Sequence, residues 1–418
     1  MDHADSFPSD ASDQSEVDAT RMVLHAVRVL GASSRKDVAN ATGLGRAAVV
    51  QRLGELVGAG LVDASGSGHS TGGRPPRRLR FRAEAGHVLA ADLGATSIDV
   101  AMADLGGRIL VQRTEDADIA TGPDVILHRV GDLFDEVLRA APPACGTLRG
   151  IGVGVPGPVE FSSGRPVSPP IMPGWDGHPI RDRFSARHRV PVWVDNDVNI
   201  RALGEWRAGI ARGHRNVVWV KVGTGIGAGI ISNGVLHRGA DGAAGDVGHV
   251  PVVDEGVVCR CGNIGCLEAL AGGAALARDA EMAARSGRSG WLAEALARDG
   301  LLTAHSVATG AGHGDATCVE LLQRSGRLVG HMLATVVNLF NPSLIVIGGG
   351  VSKAGNQFLA TIRETVYRRS LPLATRALQI EPSALGEEAG MVGAATMVVD
   401  ELFGVGRSVA IPAKSTAV

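Results

Sequence analysis

The sequence predicts an α/β protein in two parts, a small N-terminal module and a larger domain built from two related lobes. Three observations carry this prediction. Positive charge is concentrated in one segment, since residues 21–82 hold eleven Lys or Arg and only three acidic residues. A strand–glycine turn–strand pattern that starts at His87 returns at Val217. Three of the five cysteines fall within eight residues, from Cys259 to Cys266.

The length and composition point to a cytoplasmic globular protein. A chain of 418 residues exceeds one ordinary core, so two or three domains are expected. No run of about eighteen apolar residues occurs, so no transmembrane helix and no membrane partner are expected. The N-terminus is acidic and has no apolar signal segment, and the cysteine spacing is not that of a disulfide-stapled secreted fold.

Shifts in composition divide the chain into five segments. Residues 1–20 carry six acids and no Lys or Arg, and such a polar stretch favours disorder. The expected segments are a disordered acidic tail over 1–17, a basic module over 18–84, a first lobe over 85–205, a second lobe over 206–404, and a flexible tail over 405–418.

The basic module has the element order of a winged helix-turn-helix. Apolar residues keep helical spacing from Met22 to Leu30, and two further helices are predicted over roughly 35–41 and 46–59. Strands are expected at Leu61-Val62 and Leu79–Phe81, across a Gly- and Ser-rich loop. A three-helix dimerisation or docking domain is the alternative that this pattern leaves open.

Basic residues on the third helix and in the wing favour DNA as the partner. The helix would enter the major groove, and the Pro-stiffened wing would meet phosphates or the minor groove. One small module reads few base pairs, so a homodimer or tetramer on an inverted-repeat operator is expected. The candidate DNA contacts are Arg46, Gln51, Arg52, Arg74, Arg77 and Arg78.

The repeat in the large domain predicts a two-lobed actin/hexokinase-like (ribonuclease H-like) ATPase fold. With Asp92 set over Lys221, Gly94 falls on Gly223. Each glycine turn lets backbone N–H groups approach a phosphate, although glycines that serve only backbone packing are the alternative. The candidate nucleotide or phosphate residues are Asp92, Gly94, Thr96, Gly223, Thr224, Gly225, Gly348, Gly349 and Gly350.

A compact set of soft ligands predicts a zinc knuckle. His249, Cys259, Cys261 and Cys266 follow the spacing H-x9-C-x-C-x4-C. Three thiolates and one imidazole form a tetrahedral Zn²⁺ set, and four protein ligands make the ion structural, not catalytic. Reduced cysteines that only pack are the alternative.

With these motifs together, the chain resembles the ROK family (repressors, open reading frames, sugar kinases) in its full-length regulator form. The resemblance runs from about residue 18 to 404 and includes, besides the knuckle, Gly73-Arg74-Pro75, Asp92-Leu-Gly-Ala-Thr96, Pro173-Gly174-Trp175 and Asp195-Asn196-Asp197. It implies a sugar or sugar-phosphate effector. It further implies that Asp197 is the general base wherever such a domain acts as a kinase with ATP and Mg²⁺. The sugar contacts that it implies are Asn196, Asp197, Asp246, His249 and Glu268.

Three departures from the family's kinases bear on enzymatic activity. Ile171-Met172 stands where kinases carry Asn, Asp246 stands where they carry Glu, and Ala95 to Ser97 replaces part of their phosphate turn. We therefore favour a sugar-responsive DNA-binding transcriptional regulator, a repressor without important kinase activity. A bifunctional, glucokinase-like hexose kinase is the alternative, and a kinase-like protein-docking factor is the third hypothesis.

Overall fold

The N-terminal module folds as three helices followed by an antiparallel hairpin. The computed structural model describes residues 10–67, 77–142 and 145–405. The elements are α1 (Asp10–Arg28), α2 (Arg35–Thr42), α3 (Arg46–Gly58), β1 (Val62–Ser67) and β2 (Arg77–Phe81). Ser34 caps α2 by accepting a hydrogen bond from Asp37 N at 3.2 Å, and Gly43 ends that helix at a φ of +71°. The predicted element order is confirmed.

The first helix begins earlier than the sequence suggested. Residues 10–17, expected within a disordered tail, belong to α1. The C-terminal half of α1 is anchored in the core, where Val23 and Leu24 are fully buried. Because a helix that has nucleated adds residues at little cost, α1 extends back to residue 10. Residues 1–9 and 406–418, including most of the expected C-terminal tail, lie outside the described residues.

The first lobe is a five-stranded sheet with helices. Its strands lie in the order β5-β4-β3-β6-β9, antiparallel across β5-β4-β3 and parallel across β3-β6-β9. The elements are β3 (Gly86–Leu93), β4 (Ser97–Asp104), β5 (Ile109–Asp116), α4 (Pro123–Arg139), β6 (Thr147–Val155), β7 (Val159–Glu160), β8 (Arg165–Pro166), α5 (Ile180–His188), β9 (Val192–Asn196) and α6 (Asp197–Ala208).

The second lobe repeats this topology. Its sheet has the order β12-β11-β10-β13-β14, again with an antiparallel half and a parallel half. The repeat predicted from the sequence is therefore confirmed. The elements are β10 (Val217–Val222), β11 (Ile226–Ser232), β12 (Val235–His237), α7 (Leu267–Ala271), α8 (Gly273–Arg285), α9 (Gly290–Asp299), α10 (Ala304–Gly312), α11 (Ala316–Phe340), β13 (Leu344–Gly348), α12 (Asn356–Arg369), α13 (Pro372–Thr375), β14 (Gln379–Pro382) and α14 (Glu388–Phe403).

Helix α14 crosses back to the first lobe, which corrects the expected boundary of the second lobe. A Cβ added to Gly152 of β6 would lie 2.5 Å from Ala394 O, so α14 lies directly on the first sheet. It also packs on α6, where a Cβ on Gly204 would lie 2.1 Å from Ala389 O. The chain thus returns to the first lobe with its last helix, because the apolar face of α14 completes that lobe's core.

The N-terminal module is docked on the far end of α14. Arg28 Nη2 lies 2.6 Å from Asp400 Oδ1, and Arg21 Nη1 donates to Gly404 O at 2.9 Å. The rings of Phe81 and Phe403 meet edge to face, with centroids 6.4 Å apart. Within the described ranges, no helix has the length and apolar character needed to cross a membrane.

Candidate functional site

A cleft of about 940 Å³ lies between the two lobes. Its walls come from the β3–β4 turn, the β10–β11 turn and the beginning of α6. The volume is within the range of small-molecule sites. The glycine turns that the sequence placed in register therefore face one shared cavity.

Two of the expected sugar contacts are fixed at the N-terminus of α6. Asn196 caps the helix: its Oδ1 accepts from Val198 N at 2.9 Å, and its Nδ2 donates to Gly157 O at 2.7 Å. Asp197 is the first residue of α6 and is 4% exposed. Behind them, Asp195 Oδ2 accepts from Arg238 Nε at 2.8 Å. Their positions are held by hydrogen bonds and leave little rotamer freedom.

The other three expected sugar contacts come from the segment around the cysteines. Glu268 Oε2 accepts from Ile226 N at 2.9 Å, which ties α7 to β11. Asp246 Oδ1 lies 3.9 Å from His249 Nε2, and burial raises the pKa of Asp246 against the lowering effect of that imidazole. All five predicted sugar residues line the same cleft. The structure therefore brings together residues that lie up to 72 positions apart in the chain.

Most of the predicted phosphate residues also line the cleft, and two do not. Asp92 is fully buried beneath the cleft, and Gly348 packs on Trp219, whose ring would lie 2.5 Å from an added Cβ. We correct both assignments: each residue supports the cleft floor without reaching the cavity. The lining members are Gly94, Thr96, Gly223, Thr224, Gly225, Gly349 and Gly350.

Two cations that the sequence analysis did not assign to the site lie among these residues. Arg201 Nη2 is 2.6 Å from Asp92 Oδ2, and Lys221 Nζ contacts Asp197 Oδ2. Burial raises the pKa of Asp92 to about 6, and the charge of Arg201 opposes that rise. Two patterns in the sequence could have assigned these cations to the site. Arg201 follows Asp197 by four residues on one helix face, and Lys221 is the repeat partner of Asp92.

The predicted metal ligands are brought together as a compact group. His249 Nδ1 lies 3.4 Å from Cys259 Sγ, and Cys261 Sγ lies 3.7 Å from Cys266 Sγ. The four ligand atoms all lie within 4.8 Å of one another. A tetrahedral Zn²⁺ with Zn–S bonds of about 2.3 Å requires ligand separations of about 3.8 Å. The donor set and its spacing fit zinc.

The loop that carries this cluster also positions Glu268. Gly262 N donates to Cys259 O at 2.9 Å, and Cys259 N donates to Asn263 O at 2.7 Å, which forms the turn between the ligands. Cys266 is the residue before α7, and Leu267 N donates to Val250 O at 3.0 Å. Glu268 therefore lies two residues from the predicted metal ligand Cys266, on a helix that starts at the cluster.

The predicted DNA-contacting residues separate into an exposed set and an intramolecular pair. Arg46 and Gln51 are exposed on α3, and Arg78 is exposed on β2. Arg52 is not on that face: its side chain is 12% exposed and pairs with Glu55 Oε1 at 2.7 Å, so we withdraw it as a DNA contact. Arg74 lies outside the described residues, as does the side chain of Arg77, whose backbone begins β2.

The model of the ROK family matches residues 88–401. The chain belongs to the ROK family. The matched range covers both lobes, the cleft and the Cys₃His cluster, and it ends within α14.

Similarity to individual ROK proteins extends to the N-terminal module. The xylose repressor of Caldicellulosiruptor bescii is 31% identical over 88% of this chain and 92% of its own length. The crystal structure of a ROK family transcriptional regulator, a homologue of the E. coli MLC protein, superposes with a TM-score of 0.79 at 26% identity, covering 93% of this chain and 97% of that one.

A ROK glucokinase matches only the large domain. The Streptomyces griseus enzyme, crystallised with glucose and AMPPNP, has a TM-score of 0.67 and 31% identity. It covers 75% of this chain and 99% of its own. The part of this ROK protein without a counterpart in that enzyme is thus about a quarter of the chain.

Proposed function

We propose that this ROK protein is a sugar-responsive DNA-binding repressor that acts in the cytoplasm as a homodimer or tetramer. One observation carries the proposal: a module of three helices and a hairpin, the element order of a winged helix-turn-helix, and a sugar-kinase-like cleft lie on one chain and both contact α14. The repressor and regulator relatives match both parts, whereas the glucokinase matches the large domain alone. The exposed Arg46 and Gln51 suit base edges in a major groove.

In this function the cleft binds the sugar and the Cys₃His cluster binds a structural zinc ion. Asn196, Asp197, Asp246 and Glu268 offer hydrogen-bond partners for hydroxyl groups. His249 Nδ1 faces the thiols and leaves Nε2 on the side of Asp246. Zinc would hold His249 and, through α7, Glu268 in place.

The proposal is tested by measuring sugar-dependent DNA binding. Duplexes selected from random DNA by the full-length protein are labelled, and their affinity is measured by fluorescence anisotropy with xylose, glucose and other pentoses and hexoses. We expect one sugar to change the affinity by about 5- to 150-fold, the range typical of allosteric coupling. Affinity that is independent of salt, or unaffected by every sugar, would contradict the proposal.

Arg46→Ala should weaken operator binding by about 5- to 150-fold, since a bidentate base contact contributes about 1–3 kcal/mol. Arg52→Ala is the matched control, because it removes the same charge from the same helix but from a side chain that pairs with Glu55. It should leave affinity within a few-fold of the wild type. Anisotropy titrations at several salt concentrations measure both. Equal losses in the two variants would mean that α3 docks by a different face.

Arg28→Ala should reduce the sugar response while DNA binding without sugar is retained. Glu388 and Met391, in the first turn of α14, line the cleft, and Asp400, in its last turn, pairs with Arg28. A helix of 16 residues spans about 24 Å, so a shift at the cleft can reach the module as a rigid displacement. We expect the sugar effect on DNA affinity to fall at least about fivefold.

A double-mutant cycle is the control for this prediction. Asp400→Ala removes the other partner of the same ion pair, so the effects of Arg28→Ala and Asp400→Ala on the sugar response should not add. Additive losses, or a sugar response equal to that of the wild type, would place the coupling elsewhere.

A further inference from the structure

Arg201 lines the floor of the cleft, where it pairs with Asp92, one of the predicted phosphate residues. The side chain is 7% exposed and extends from α6, one turn after Asp197. Its Nη2 lies 2.6 Å from Asp92 Oδ2, and its Nη1 lies 3.7 Å from Glu387 Oε2. The buried guanidinium of Arg201 therefore pairs both with Asp92, on the first strand of the first lobe, and with Glu387, the residue that precedes α14.

The ion pairs continue across the cleft into the second lobe. Glu387 Oε1 accepts from Lys353 Nζ at 2.6 Å, and Lys353 follows the glycine turn after β13. Lys221 of β10 contacts Asp197 on the sugar side. Asp197, which the kinase resemblance makes the general base, and Asp92, a predicted phosphate residue, thus each already have a cation of this chain as a partner.

These carboxylates do not fit a Mg²⁺ site. Mg²⁺ requires oxygen ligands at about 2.0–2.1 Å in octahedral geometry and retains several waters. Asp92 has no room for that shell: it is fully buried, Arg201 lies against its Oδ2, and even a Cβ on Gly390 would approach the same oxygen to 1.7 Å. A divalent ion would also be repelled by the guanidinium.

The charge of the remaining cleft points to an uncharged ligand. Among the described residues, seven Asp and Glu side chains line the cavity, and the Lys and Arg side chains that line it are Arg201 and Lys221. Both cations are engaged with carboxylates of the chain. A polyphosphate without an accompanying metal would meet net negative charge, whereas carboxylate oxygens readily accept hydrogen bonds from sugar hydroxyls.

We propose that Arg201 is a resident cation in place of Mg²⁺, so that this cleft binds an unphosphorylated sugar without nucleotide or divalent metal. The inference rests on the proposed function in that it takes the cleft to be the sugar site. It makes Arg201 the residue that determines ligand class: its guanidinium neutralises Asp92 and, paired also with Glu387, occupies the cleft floor where a divalent ion would otherwise lie.

The test measures Mn²⁺ as a spin probe for Mg²⁺, and AMPPNP as the nucleotide, on the full-length zinc-containing protein. Wild-type protein should leave the electron paramagnetic resonance signal of free Mn²⁺ unchanged, and calorimetry should detect no AMPPNP binding, either with or without Mg²⁺. Arg201→Ala should bind Mn²⁺ and should bind AMPPNP at least about tenfold more tightly when Mg²⁺ is added. Asp92→Asn in the Arg201→Ala background should lose this gain.

Lys353→Ala is the matched control, because it removes one positive charge from the same ion-pair chain but leaves Arg201 on Asp92. It should behave as the wild type. Mn²⁺ binding or AMPPNP binding by the wild-type protein would overturn the inference, and so would an equal gain in Lys353→Ala and Arg201→Ala. The wild-type measurements decide the matter even where Arg201→Ala does not fold.

The anisotropy assay with sugars distinguishes this inference from the proposed function. A protein whose DNA affinity ignores all sugars, yet which gains Mn²⁺ binding in Arg201→Ala, would contradict the proposed function alone. A sugar response that requires Mg²⁺ or a sugar phosphate would contradict the inference alone.

Discussion

Cys266→Ser should release the zinc ion and abolish the sugar response, the largest effect expected from a single substitution in the cleft domain. Structural zinc contributes about 10–16 kcal/mol of apparent binding free energy in small zinc-binding peptides. Cys266 is fully buried and precedes the helix that carries Glu268. Losing one thiolate therefore removes a ligand and frees the start of α7.

The consequences should be greatest at the sugar contacts closest to the cluster. Without the ion, the loop from Val250 to Cys266 is held mainly by backbone bonds and two isolated bridges, Pro251 with Cys266 and Val258 with Ile264. We expect sugar affinity to fall by at least about tenfold, because removing groups that support a metal site typically lowers metal affinity or activity by about 10- to 100-fold. Metal analysis, thermal unfolding and sugar titration measure the three effects.

Cys145→Ser provides the matched control, since Cys145 lies outside the cluster on the first lobe. It should retain zinc and the sugar response. If Cys266→Ser kept one zinc per chain, or if it lost zinc but bound sugar as the wild type does, the structural role given to the ion would be wrong.

The features that the sequence predicts well are those set by local spacing. The Cys₃His group and the two hairpins in register depend on residues close together in the chain, so their geometry follows from the pattern alone. The two sheets add a long-range confirmation, because the strand order of the first lobe is repeated in the second.

The features that the sequence did not predict depend on tertiary context. Arg52 has helical spacing that suits DNA, but Glu55, three residues later, pairs with its guanidinium. Arg201 belongs to the cleft only because β3 brings Asp92 to it from 109 residues earlier in the chain. The position of α14 on the first lobe also depends on tertiary packing, because chain order alone places this helix in the second lobe.

Gly393→Ala should destabilise the protein by about 3 kcal/mol or more, a larger effect than most single substitutions produce. Gly393 of α14 packs directly against the backbone of α6. A Cβ on Gly393 would lie 1.6 Å from Ile200 O, a backbone atom of α6 that no side-chain rotation can move away. Overpacking a core typically costs about 1–3 kcal/mol, and more where only the backbone can yield.

The site of the clash makes this a functional prediction as well. Helix α6 begins with Asp197 and carries Arg201, so separating it from α14 would displace the cleft floor from the element that reaches the DNA-binding module. Gly54→Ala is the matched control, because Gly54 lies in α3 with open space around it, and the same substitution there should stabilise its helix by up to about 1 kcal/mol. Urea unfolding measures both variants. A Gly393→Ala protein as stable as the wild type would mean that the two helices do not cross this closely, and the rigid path from the cleft to the module would then lose its physical basis.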